Sequence, residues 1–229
     1  MLRFSVSLLL TLVLSGFHVG SGTAAVAQNS DSSAHGQGDH SVTGGGVLPP
    51  GWTARPDDHG DIKDIKFVVM EPGYHITLGP ATILYRETDL AAGPFHTLAT
   101  FHQMKKTEHP EGYGLFVGGQ NLKSGAQRYV YFLVRGDGKY LVKWRDGENT
   151  NEITKGWAEN PAVKKVDAQG RATNLLEIDG KRDRSKVSFL VNGKTVYSTD
   201  ARSLDLKGVV GLRVNHNLDV HVEGFAVHQ

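Results

Sequence analysis

No cysteine occurs in the 229 residues. That one absence excludes disulfide staples, thiolate metal ligands and cysteine nucleophiles, and leaves burial of apolar surface to hold the fold. A surplus of charge is missing too, since 25 Lys and Arg stand against 24 Asp and Glu. Such a balance argues against nucleic acid or an anionic membrane as the main partner. H-E-x-x-H, G-x-S-x-G and phosphate-cradling glycine loops are also lacking, which sets back zinc-dependent, serine-nucleophile and nucleotide-dependent chemistry.

Long apolar runs are confined to the beginning. Met1-Leu2-Arg3 carries positive charge, Phe4 to Phe17 is mostly apolar, and Ala25-Val26-Ala27 offers a small-x-small cleavage site. These are the three parts of a secretory signal peptide. Ser5, Ser7 and Thr11 break the run, and its length of about 14 residues falls short of the roughly 20 that a spanning helix needs. Residues 1–27 are therefore read as a cleaved signal and Gln28 as the mature start, with a periplasmic or secreted destination. No later segment is long and apolar enough to span a bilayer, so no membrane insertion is expected after cleavage.

Residues 28–46 hold one sizeable apolar side chain, Val42, among Gly and Ser, and are read as a flexible tether. His35 and His40 within it are read as solvated polar residues, with weak metal binding as the alternative.

From Val47 the punctuation is that of strands. Apolar and β-branched runs recur at Ile65–Met70, Phe95–Gln103, Arg128–Arg135, Lys139–Trp144, Val187–Val191, Val209–Asn215 and elsewhere, each bounded by Gly, Pro, Asn or Asp. None carries the i, i+3, i+4, i+7 pattern of a long helix. Asn192-Gly193, between Phe189-Leu190-Val191 and Lys194-Thr195-Val196, suits a type I′ hairpin turn. Gly136-Asp137-Gly138 marks a second hairpin. Residues 47–229 are thus expected to form one all-β domain, a two-sheet antiparallel β-sandwich. In the run after Gln127, Val130, Phe132 and Val134 share the expected core face. Tyr129, Tyr131, Leu133 and Arg135 share a face expected to be partly exposed.

The C-terminal third is more specific. Asn174–Ile178, Val187–Val196 with its Asn192-Gly193 turn, Gly208–Val214 and Val220–Val227 together resemble the ending of a concanavalin A-like lectin/glucanase jelly roll. Within that superfamily the chain is most similar to laminin-G-like domains and to the bacterial secreted domains called 3-keto-disaccharide hydrolase. Phe95–Trp144 fits more loosely and includes Gly112–Val117, where the family has a strand near its ligand face. The resemblance implies a jelly roll and a glycan or oligosaccharide ligand. The matched residues carry fold, which such sandwiches lend to lectins, hydrolases, lyases and spacers alike.

Sugar-gripping faces present aromatic rings to C–H faces and planar polar groups to hydroxyls. The available ligand-binding candidates are His102, Tyr129, Tyr131, Arg135, Trp144 and Arg145, with Trp157 arriving from a loop; ordinary sheet packing is the rival role for each. Glu177 and Asp179, two apart on a strand, share a face as paired glycosidase carboxylates do. The sandwich glucanases, however, carry a further Glu where this chain has Lys181 or Arg182. No catalytic residue is therefore assigned. Asp57-Asp58-His59-Gly60-Asp61 is an acidic loop that offers oxygens to Ca²⁺, but it lacks the spacing of a dedicated calcium motif. A turn is preferred there, and no metal ligand or cofactor is assigned. Three functions stay open: a non-catalytic exported glycan-binding module, a glycoside hydrolase acting on a 3-keto-disaccharide or related glycan, and a structural or interaction domain of the cell envelope.

Overall fold

A computed structural model describes residues 39–57 and 60–229. The expected signal peptide, the tether as far as residue 38, and Asp58 and His59 lie outside the described residues. In chain order the strands are β1 (Thr53–Pro56), β2 (Ile65–Met70), β3 (Gly73–Leu78), β4 (Thr82–Ala91) and β5 (His96–Gln103). There follow β6 (Gly112–Gln120), β7 (Arg128–Arg135), β8 (Lys139–Asp146), β9 (Asn149–Glu152) and β10 (Ala158–Glu159). The last five are β11 (Ala172–Asp179), β12 (Lys186–Val191), β13 (Lys194–Asp200), β14 (Gly208–Val214) and β15 (Asp219–His228). Among the described residues the helical pieces are two single turns, Ile62–Asp64 and Ala201–Ser203, and no helix is long and apolar enough to cross a membrane.

The strands form two antiparallel sheets. The first runs β1-β4-β14-β6-β7-β8-β10, with β9 also paired to β8; the second runs β13-β12-β11-β5-β15-β3-β2. Both expected hairpins are present. Val191 pairs with Lys194 across Asn192 and Gly193, whose φ values of +50° and +73° are those a type I′ turn requires. Arg135 pairs with Lys139 across the Gly136-Asp137-Gly138 loop.

Between the sheets lies the main core. It takes Val130, Phe132 and Val134 from β7 and Val210, Leu212 and Val214 from β14, as alternation predicts. The second sheet contributes Phe101, Leu176, Ile178 and Phe189 among others, and Phe132 meets Phe189 edge-on at 5.4 Å.

The other face of the first sheet departs from expectation. Tyr129, Tyr131 and Leu133 were expected to be partly exposed, yet they join Ile83, Tyr85 and Phe116 in a second buried cluster. Leu122 from the loop after β6 belongs to that cluster and Trp157 packs against it. The first sheet therefore carries apolar packing on both faces, which the alternation within one strand cannot announce because the covering residues come from distant loops.

The end of the expected tether touches the sandwich. The Asp39 carboxylate lies 2.7 Å from His216 Nδ1, His40 N donates to Asn217 Oδ1 at 2.8 Å, and Gly46 N donates to the Ile65 carbonyl at 3.0 Å.

Candidate functional site

At one end of the sandwich the last residues of β6 and β8, the start of β7 and the segment Ser203–Asp205 enclose a cleft of about 440 Å³. A register shift between Val117 and Gln120 and the positive φ of Gly118, +69°, turn the end of β6 beneath that segment. A Cβ at position 118 would lie 2.5 Å from the Asp205 carbonyl, so only glycine permits the approach. The half-buried Trp144 indole provides an apolar wall, with the Arg128 guanidinium 5.7 Å from its ring centroid. Arg128 is itself steered by Asp146, at 3.2 Å. Opposite, Gln120 Nε2 donates to Asp205 Oδ2 at 2.9 Å and to the Lys207 carbonyl at 3.3 Å. The arrangement sets one aromatic ring beside planar and charged polar groups, the combination that holds a polyhydroxylated ring.

Of the candidates read from the sequence, Tyr129 and Trp144 line this cleft. They nonetheless start from opposite faces of the first sheet: Trp144 pairs with core-facing Val130, whereas Tyr129 pairs with Arg145 and Tyr131 with Lys143. Tyr131 and Arg145 belong to the outer face, where Arg145 is only 8% exposed and Tyr131 only 2%. Arg135 lies at the far end of β7, its guanidinium 4.4 Å from the Trp157 ring centroid and bonded to Asp137 at 2.8 Å. His102 sits on the second sheet, in a row with His221 and His75, and meets Thr173 Oγ1 at 2.9 Å. The six candidates thus do not form one site.

Arg213, which the sequence reading did not single out, joins two residues that it did, Asp57 and Arg145. Arg213 alternates with core-facing Leu212 and Val214 and so points outward from the first sheet. Its Nη1 and Nη2 donate to the two carboxylate oxygens of Asp57 at 2.9 and 2.6 Å, and Arg145 Nη1 adds a third bond at 3.0 Å. Burial works to raise the Asp57 pKa, but the Arg213 charge and hydrogen bonds and the Arg145 charge outweigh it, and the net displacement is below the usual aspartate value. Burial works to lower the Arg213 pKa, but the Asp57 charge and hydrogen bonds, together with Tyr129 and Tyr131, outweigh it and the net shift is well above the usual arginine value. The alternation in β14 marked Arg213 as outward; its partner, 156 residues away in sequence, left no local signal.

These bonds also bear on the acidic loop. The Asp57 carboxylate is taken up by guanidinium groups, and the exposed Asp61 accepts from Lys63 N through Oδ1 at 2.9 Å. Among the described residues no three His, Asp or Glu side chains are grouped to hold a metal ion. Glu177 and Asp179 do share the outer face of the second sheet. Glu177 lies 3.0 Å from His96 Nε2. For Asp179, burial pushes the pKa up, but hydrogen bonds from the Arg182 and Lys181 amides prevail and hold it below the usual value. That is the opposite of the raised pKa a glycosidase acid needs.

No protein-family model matches the sequence, and no curated protein matches it. Solved structures do. The chain superposes on the carbohydrate binding module CBM66 from Bacillus subtilis with a TM-score of 0.56 and 10% identity, over 78% of this chain and 96% of that one. A protein of unknown function with a galectin-like fold, also from Bacillus subtilis, gives 0.55 and 12% over 78% and 89%. The fold is a concanavalin A-like jelly roll. The carbohydrate recognition domain of Emp46p extends the likeness, with a TM-score of 0.54 and 11% identity over 78% of this chain and 88% of that one. At these identities the jelly roll is what is shared, and the cleft at its end belongs to this chain's own residues.

Proposed function

We propose that the protein is an exported, non-catalytic carbohydrate-binding module whose ligand rests in the cleft beside Trp144. The observation that carries this reading is the half-buried indole, with Arg128 over its ring, in a cleft of about 440 Å³ that Gln120 and Asp205 also line, within the roughly 300–1,000 Å³ of small-molecule sites. The names of two structural neighbours, a carbohydrate binding module and a carbohydrate recognition domain, support the same class of ligand. Asp179, held below the usual aspartate value, gives the hydrolase reading no raised-pKa acid, and the link to 3-keto-disaccharide hydrolysis rests on sequence resemblance alone.

Calorimetric titration of the mature chain against neutral oligosaccharides tests the proposal. Saturable binding is expected, and Trp144→Ala should weaken it at least tenfold, the loss of roughly 1.4 kcal/mol; because the indole also packs against the core, the variant's thermal midpoint will fall and binding is compared below it, where the protein is folded. A folded protein that binds no saccharide would remove the reading. Export is checked separately, by sequencing the N-terminus of protein recovered outside the cytoplasm, which should begin at Gln28.

A further inference from the structure

We propose that the Arg145–Arg213 pair on the outer face of the first sheet is a carboxylate subsite for an acidic saccharide, occupied in this structure by the chain's own Asp57. The inference names a ligand class within the carbohydrate-binding reading and rests on it.

The two arginines come from strands that are not neighbours, β8 and β14, with β6 and β7 between them. Sheet pairing does not require them to meet, yet they converge on one carboxylate. Each is oriented by contacts that do not involve Asp57. Arg213 Nε donates to Asn215 Oδ1 at 3.1 Å, its Nη1 reaches Tyr129 Oη at 3.4 Å, and its guanidinium lies 5.7 Å from the Tyr131 ring centroid. Arg145 Nε donates to the Gly147 carbonyl at 2.9 Å. The fork is therefore built before any carboxylate enters it, and Asp57 meets it as a ligand carboxylate would, with two parallel bonds to one guanidinium and a third to the other.

A second observation points to a ligand beyond Asp57. Gln127 precedes β7 and accepts the Gly147 amide on its backbone carbonyl at 2.8 Å, which places it beside the residue that anchors Arg145. Its side chain is only 3% exposed, and its Oε1 is buried without a hydrogen-bond partner. A buried acceptor of this kind is costly to leave unmet and suits a sugar hydroxyl.

Exchange of one carboxylate for another keeps every charge-assisted bond at the fork, so a uronate can compete with Asp57, the cost being release of the loop after β1 from β8 and β14. A neutral sugar cannot, because it would strand two buried guanidinium groups without a counter-charge. The subsite should therefore discriminate acidic from neutral saccharides, with Asp57 as an internal competitor.

The test is calorimetric titration of the full mature chain, at fixed ionic strength, with trigalacturonic acid and with its methyl ester, which keeps the rings and removes the charge. Asp57→Asn should bind the acid at least tenfold more tightly than the parent and raise the ratio of acid to ester affinity by a similar factor. Arg145→Lys, which keeps the charge and removes the fork, should bind the acid at least tenfold more weakly than the parent. A folded Asp57→Asn with unchanged acid affinity, or Arg145→Lys binding the acid as tightly as the parent, would overturn the proposal. If Asp57→Asn does not fold, Arg145→Lys decides alone. Binding of neutral glycans without these effects sinks the acidic subsite and spares the cleft, whereas a folded protein that binds no saccharide removes both.

Discussion

Asp57 shows how much one side chain can organise in a fold without disulfides. Its carboxylate joins the loop after β1 to β14 and β8 through Arg213 and Arg145. Asp57→Ala would leave two guanidinium groups buried without their counter-charge, and removing one partner of such a network costs about 3–5 kcal/mol; chemical denaturation of the variant measures this. Because the folded pKa of Asp57 lies below the usual 3.8, the stabilisation is fully present above that value and is lost as pH falls through the lower folded one. The parent should thus lose stability on acidification over this window, and Asp57→Ala should lose less. The alternation of β14 makes Arg213 legible as an outward residue and composition makes Asp57 legible as part of an acidic turn, but not as partners, because they lie 156 residues apart and contact between the loop after β1 and β14, across β4, has no periodicity to read.

At the scale of elements, the hairpins and the faces of β7 and β14 followed from turn chemistry and alternation. The shortest strands, β1, β9 and β10, did not, since two to four residues are too few to show a period of two. The β12–β13 turn has a further role that its sequence did not announce. Asn192 accepts from Leu175 N at 3.0 Å and donates to the Ala162 carbonyl at 2.8 Å and to Asn174 Oδ1 at 2.9 Å. The turn residue thereby ties the hairpin to β11 and to the segment before it. Asn192→Ala forfeits all three bonds and the residue's tolerance of positive φ. A loss of about 1–3 kcal/mol is expected, and Asn192→Asp, which keeps the acceptor toward Leu175 but sets a carboxylate oxygen against the Ala162 carbonyl and Asn174 Oδ1, should lose at least as much; thermal unfolding of both variants checks this.

The whole molecule combines a core between the sheets with a second apolar layer on the outer face of the first. The outer layer escaped the sequence reading because Leu122 and Trp157 reach it from loops, and a strand's own pattern records which residues face away from the core but not what covers them. Segment 39–46 adds a further brace through Asp39, His40 and Gly46. A chain beginning at Val47 should fold, but with a loss of about 1–2 kcal/mol for these exposed bonds, a drop of roughly 2–6 °C in the melting midpoint. Equal midpoints for the two forms would show that the segment adds nothing to the sandwich.

The position of β15 bears on when the protein can fold. The last strand of the sequence lies near the middle of its sheet, hydrogen-bonded to β5 on one side and β3 on the other. Without residues 219–228, β3 and β5 have no strand to join them and the second layer stays in two pieces. Its closure depends on pairing between segments far apart in sequence, which makes it a non-local and therefore slow step of folding.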